Sequence, residues 1–272
     1  MKDILNKFDI YHNASDISQA LCDFKKDTEN VTLLSSTFLY IGYQARFNAF
    51  YFYADTLNSN SSSFTFEYYD LRDGWKAIPD VFDDTLAFTR NGFVEWRELP
   101  DWEKAEINGA NRFWVRISTN TDTSLMSIRA LNIIFSTDDE LQKVYYPIGT
   151  DSSFKLGADD FMLIHEDVRN AIVQKFRNRG LRKLEEDQER WLRITPLDIL
   201  DIQEVRQAAT YFALSRIFFN VSDSVDDSWS VKSREMQAKA DDFLDIAYLS
   251  FDKYGKGDTN AMPFFNTGIL WQ

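Results

Sequence analysis

A single cysteine, Cys22, stands among 272 residues. One thiol builds neither an internal disulfide framework nor a cysteine-based zinc site. Its expected role is that of a small buried hydrophobe. Histidine is almost as scarce, with only His12 and His165, and no metal-ligand spacing surrounds either. No uninterrupted apolar run approaches the ~18 residues of a membrane-spanning helix. Met1 to Ala14 lacks the basic-then-apolar order of a secretion signal. Neither a membrane association nor a leader is therefore expected. Basic residues are outnumbered 30 to 43, for a net charge of −13 and an isoelectric point of about 4.7. Phosphate repels such a chain, which argues against nonspecific nucleic-acid binding.

The length suits one large or two ordinary domains. Apolar residues at 44% and charged residues at 27% are those of a globular protein. Aromatics reach 15%, which favours β-rich parts and well-anchored cores. Charge is uneven along the chain. Residues 161–272 carry 18 acidic and 15 basic residues, against 25 and 15 in residues 1–160.

The hydrophobic period changes near the same place. Phe64-Thr-Phe-Glu-Tyr-Tyr alternates at period two; the runs from Phe93, Phe113 and Leu131 do so more loosely. Turn signals at Asn58–Ser63, Arg72-Asp-Gly, Asn91-Gly92 and Asn108-Gly109 separate them. Beyond residue 163 the period is helical. Val168, Ile172 and Phe176 lead to a glycine stop at Gly180. Two further apolar faces run from Val205 to Phe218 and from Met236 to Phe251. A short Asp- and Ser-rich connection between them, rich in capping residues, predicts an antiparallel αα-hairpin. The expected fold is α+β in two domains, an antiparallel jelly-roll-like β-sandwich followed by an α-helical bundle. The predicted boundaries are an N-terminal segment 1–30, the sandwich 31–140, a linker 141–162, the helical domain 163–254 and a C-terminal arm 255–272. The arm holds Met262, Pro263, Phe264, Phe265, Ile269, Leu270 and Trp271, and it reads as too short and broken for a regular element. Exposed, its apolar surface is a liability. It either folds back on its own domain or docks as an extended segment into another subunit, and docking is the favoured expectation.

No residue set carries an evident reaction. His165 precedes Glu166 and Asp167, a combination read here as acidic residues at a helix N-terminus. The many adjacent carboxylates read as solvated faces and caps. Asp223, Asp226 and Asp227 do not follow the EF-hand pattern, because Arg234 stands where its closing glutamate belongs. No G-x-S-x-G, Walker A or G-x-G-x-x-G motif occurs. No catalytic residue, cofactor or metal is therefore expected. Tyr40, Tyr43, Trp75, Trp96, Trp102 and Trp114 are read mainly as core and sheet-face packing. Trp75 and Trp102, next to turns, are the candidates for stacking on a glycan.

Four stretches of the second half resemble one family. They are Ala208-Ala-Thr-Tyr-Phe-Ala-Leu-Ser-Arg-Ile, an acidic turn ending Asp226-Asp-Ser-Trp, Lys232-Ser-Arg-Glu-Met-Gln-Ala-Lys-Ala, and Phe251-Asp-Lys-Tyr-Gly-Lys-Gly-Asp. Together they resemble the adaptor, or head–tail connector, proteins of tailed bacteriophages, over residues 163–260. Tyr68-Tyr-Asp-Leu-Arg-Asp-Gly-Trp-Lys and Gly92-Phe-Val-Glu-Trp resemble sandwich domains attached to phage structural proteins. The resemblance implies a virion protein of the neck, assembled in the host cytoplasm. Its partners would be the portal protein, neighbouring copies in a ring (a dodecamer in the family) and tail or neck proteins, with DNA passing through the lumen without specific binding. The C-terminal arm would be the portal-binding element. Met262–Gln272, and with it Met1–Ala14, is expected to order only in the assembly. The alternative is a carbohydrate- or receptor-binding sandwich module of a phage structural protein. A hydrolase has the weakest support, since no nucleophile–base pair can be named.

Overall fold

Alternating burial builds the first half of the chain. In Phe64–Asp70, Phe66, Tyr68 and Asp70 are buried while Thr65, Glu67 and Tyr69 are not. Side chains of a strand point to opposite faces in turn, so one face meets the core. The computed structural model describes residues 8–21, 28–97, 99–151, 154, 160–185, 190–199, 202–224, 227–252 and 259–263. The fold is α+β with antiparallel sheets. It divides into two units, residues 1–133 with 183–191 and 252–258, and residues 134–182 with 192–251 and 259–272.

The strands of the first unit are β1 (Asp9–His12), β2 (Ser15–Asp16), β3 (Glu29–Val31), β4 (Leu39–Tyr43), β5 (Ala49–Thr56) and β6 (Phe64–Asp70). They continue with β7 (Gly74–Ala77), β8 (Phe82–Asp83), β9 (Gly92–Glu95), β10 (Lys104–Ile107), β11 (Ala110–Thr119) and β12 (Met126–Asn132). A seven-stranded sheet runs β2-β1-β4-β11-β6-β7, with β10 added on β11, and a five-stranded sheet runs β3-β12-β5-β9-β8. Asn108 and Gly109 close the β10–β11 hairpin with φ of 49° and 81°. Positive φ at both positions matches the right-handed twist of the flanking strands.

Aromatic rings fill the interior. Trp102 packs against Phe47, Tyr68, Trp96 and Phe113 at centroid distances of 5.0–6.4 Å. Phe88 stacks on Phe52 of β5 at 4.0 Å and meets Phe64 of β6 edge-on at 4.7 Å, so one ring touches both sheets. Phe88 sits there at a backbone cost. Leu86, Ala87 and Phe88 have φ of 50°, 59° and 64°, three left-handed L-residues in succession. The Asp83 carboxylate accepts from Thr85 N and Ala87 N, Thr85 Oγ1 accepts from Phe88 N, and Asn58 donates to the carbonyls of Ala87 and Phe88. These bonds hold the segment.

The N-terminal stretch departs from expectation. Phe8 and Ile10 are fully buried and β1 pairs with β4 along its whole length. Residues 8–14 are therefore ordered within the unit, without a partner, because they supply a strand to its sheet. Met1–Lys7 and Cys22 lie outside the described residues.

The second unit contains α2 (Asp138–Val144), α3 (Pro147–Thr150), α4 (Asp160–Asn178), α5 (Gln203–Asn220) and α6 (Ser228–Ile246); a short α1 (Ser18–Leu21) belongs to the first unit. The stretch expected as a linker holds helices. A Thr137–Glu140 capping box starts α2, Pro147 opens α3, and Leu141, Ile148 and Phe154 are buried. Helix α4 ends in a Schellman motif, with Gly180 at φ 86°, Gly180 N bonded to Arg177 O and Leu181 N to Phe176 O. Asp227 caps α6 by accepting from Ser230 N at 2.6 Å.

Two short ribbons complete the described elements, β13 (Arg182–Glu185) with β14 (Arg190–Arg193), and β15 (Tyr248–Asp252) with β16 (Thr259–Pro263). The last ribbon corrects two expectations. Helix α6 ends at Ile246, short of the helical face expected to run to Phe251, since Ala247 is already extended at φ −64°, ψ 137°. Within the arm, Thr259–Pro263 form a regular strand. Backbone pairing between 248–252 and 259–263 outcompetes continuation of the helical apolar pattern.

Candidate functional site

The outward face of the seven-stranded sheet carries an aromatic cluster that solvent reaches as a concavity. A cavity of about 370 Å³ is lined by Tyr40, Tyr69, Leu71, Trp75 and β10 residues Lys104–Ile107. That size lies within the ~300–1,000 Å³ of ligand sites. Register brings the residues together. Tyr69 pairs with Trp75 across β6–β7, and Tyr40 pairs with Arg116 across β4–β11. The Trp75 ring lies 5.8 Å from Tyr40 and 5.7 Å from Tyr69.

Trp75 is held in place from two sides. Arg116 lies over its ring at 4.4 Å and over Phe38 at 4.5 Å, and is itself fixed by a two-point pair with Glu67 at 2.7 and 3.1 Å. The β6–β7 turn that presents Trp75 is tied by Asp70. Its carboxylate accepts from Lys76, Arg72 N and Asp73 N. The Lys76 hydrogen bond holds the Asp70 carboxyl below the usual range, and the Asp70 and Asp73 carboxylates raise Lys76.

Trp102 does not belong to this site. It is 1% exposed and its indole donates to the carbonyl of Trp114. A ring so enclosed cannot stack on a ligand, which corrects its candidacy for glycan binding. Trp96, Trp114 and Tyr43 are buried as well. Sequence reasoning missed Tyr69, Lys104 and Glu106; the period-two exposure of Tyr69 is the signal that was available for it.

The second unit holds a polar cluster around His165. The residue lies within α4, not at its start. Ser136 Oγ stands 2.8 Å from Nδ1 and Asp138 Oδ1 2.9 Å from Nε2. Hydroxyl, imidazole and carboxylate are the parts of a nucleophile relay. Ser136 and His165 are each only 1% exposed, however, so the hydroxyl meets no substrate. The set ties the N-terminus of α2 to α4. Beside it, burial raises the Glu140 carboxyl, against the opposing pull of Arg206 at 3.2 Å.

A third feature is apolar. Tyr145 packs edge-on against Phe218 and Trp229 near the α5–α6 turn. Its chain neighbours Val144 and Tyr146, together with Phe219 and Val231, are exposed, Tyr146 by 72% and Phe219 by 64%. Of the arm residues, Met262 and Pro263 lie in β16, and Phe264, Phe265, Ile269, Leu270 and Trp271 lie outside the described residues. Among the described residues, no group of three or more His, Cys, Asp or Glu could hold a metal ion, and no helix is long and apolar enough to cross a membrane.

The chain matches no protein-family model and no curated protein sequence.

Proposed function

We propose that the chain is a structural virion protein, a head–tail connector of a tailed bacteriophage that forms a ring below the portal and joins capsid to tail. In this reading the first unit is a jelly-roll-like sandwich and the second a helical bundle built on the α5–α6 hairpin. The arm from residue 255, with Met262 to Trp271, docks onto the portal. Neighbouring copies and tail or neck proteins are the other partners. An acidic lumen wall lets DNA slide past without sticking.

The observation that carries the reading is the hairpin and its exposed end. Helices α5 and α6 pack together, and small residues are buried on both, Ala208, Ala209, Ala213 and Ser215 on one and Ser230, Ser233 and Ala240 on the other. Ser233 Oγ donates to the Ser215 carbonyl at 2.9 Å. These two helices hold two of the four stretches that resemble the adaptor family, Ala208–Ile217 and Lys232–Ala240. Phe219 and Val231 near their turn, with Val144 and Tyr146 on either side of the Tyr145 that packs there, offer exposed apolar surface of the kind that marks an interface between subunits.

The test is electron microscopy of the chain mixed with the portal protein from the same genome, with and without residues 261–272. Rings that form on the portal and need those residues support the reading. No association in either case overturns it.

A further inference from the structure

The geometry points to a binding site for a neutral carbohydrate in the cavity formed by Tyr40, Tyr69, Trp75 and β10. The inference stands apart from the connector reading and rests on the chemistry of the lining. Tyr40, Tyr69 and Trp75 are half-buried around a ligand-sized space. Their rings offer apolar faces, and the hydroxyls of Tyr40 and Tyr69 hydrogen-bond to no described protein group, so both remain available to a ligand. Glu106, exposed at the rim, forms no ion pair among the described residues and adds an acceptor. Lys104 adds a donor.

Charge narrows the class. A cationic ligand would meet like charge, the Lys104 ammonium in the lining and the Arg116 guanidinium over one face of Trp75. An anionic ligand meets Glu106 and a chain of net charge −13. What fits is an uncharged molecule with C–H faces for the rings and hydroxyls for the polar rim, which describes a sugar ring. The site is also preorganised. The Arg116–Glu67 pair and the Asp70–Lys76 tie fix Trp75 before any ligand arrives, which lowers the entropy lost on binding.

The experiment titrates the full chain with maltohexaose, cellohexaose and N-acetylchitohexaose, and separately with decaproline, following tryptophan fluorescence and heat. At least one oligosaccharide is expected to saturate the site at or below millimolar concentration. Trp75→Ala is expected to weaken that binding by about tenfold or more, equivalent to ~1.4 kcal/mol. Tyr69→Phe removes only a hydroxyl and leaves the packing intact; it should weaken binding severalfold with an unchanged circular dichroism spectrum. No saturable signal from any of the three sugars overturns the proposal. So does sugar binding indifferent to both variants, or decaproline saturating the cavity instead, the mark of an extended-peptide groove. Trp75→Ala should leave association with the portal untouched, so the two readings fail separately.

Discussion

Gly42 faces Trp114 across the β4–β11 pair, and the space between them admits no side chain. A Cβ at residue 42 would overlap the six-membered ring of the indole. That indole is fully buried and donates to the Ala105 carbonyl at 2.9 Å. It thereby anchors β10, the wall of the aromatic cavity.

Gly42→Ala is therefore expected to cost about 1–3 kcal/mol, the range for forcing atoms into a packed site. Urea unfolding of the two proteins measures it. Equal midpoints would mean that the indole moves aside freely, and that β10 is not held as described.

Ser136→Ala removes the partner of His165 Nδ1 without opening a large cavity. A buried polar atom then loses its hydrogen bond, at an expected cost of about 1–3 kcal/mol. A loss that size in denaturant unfolding, with α-helix content retained at low denaturant, is the predicted result. A change below about 0.5 kcal/mol, typical of surface substitutions, would contradict the buried tie.

Leu86 offers the opposite sign. Its side chain is 60% exposed, so little burial is lost on removal, while its φ of 50° costs an L-residue energy that glycine is spared. Leu86→Gly is expected to raise stability by about 0.5–1 kcal/mol, the left-handed penalty of ~1–2 kcal/mol less the extra chain entropy of glycine. Differential scanning calorimetry reads it as a higher Tm. A lower Tm would show that the strain is not borne at residue 86.

Asp227 sets a pH dependence. Hydrogen bonds from Ser230 N first, then from Ser224 N and Asp223 N, hold its carboxyl below the ordinary 3.8. A group whose pKa is lowered by folding contributes stability above its unfolded value and loses it as pH falls through the folded one. The Tm gap between wild type and Asp227→Ala should thus stay constant from pH 7 to about 5 and close below about pH 4. A gap that persists at pH 2 would show that the cap works through the side chain's shape rather than its charge.

Much of the second unit was legible because its signals are local. Gly180 ends α4 and Asp227 starts α6 through bonds to residues within five positions. The hairpin of α5 and α6 follows from two apolar periods and a capping run between them. The end of α6 was not legible, because Leu244, Ala247 and Phe251 continue the helical period. The backbone turns extended at Ala247 in favour of a strand partner twelve or more residues further on, Thr259–Pro263. The short helices α2 and α3 were missed although Thr137 and Glu140 spell a capping box; of their described residues only Leu141 and Ile148 are buried, too few apolar positions for a period to register.

Trp75 and Trp102 mark the boundary between the two kinds of information. Both are tryptophans beside turns, and local sequence treats them alike. One lines a cavity and the other is sealed in the core. The sequence by itself determined where strands alternate, where helices are capped and that the chain is α+β, since each depends on residues a few positions apart. Only the tertiary structure decided which aromatics face solvent together. Tyr40, Tyr69 and Lys104 come from strands far apart in the chain, and their meeting depends on the order β4-β11-β6-β7 and on β10 pairing with β11. Alternation tells which face of a strand a residue takes, but which strands lie side by side on that face is set by pairing between distant segments.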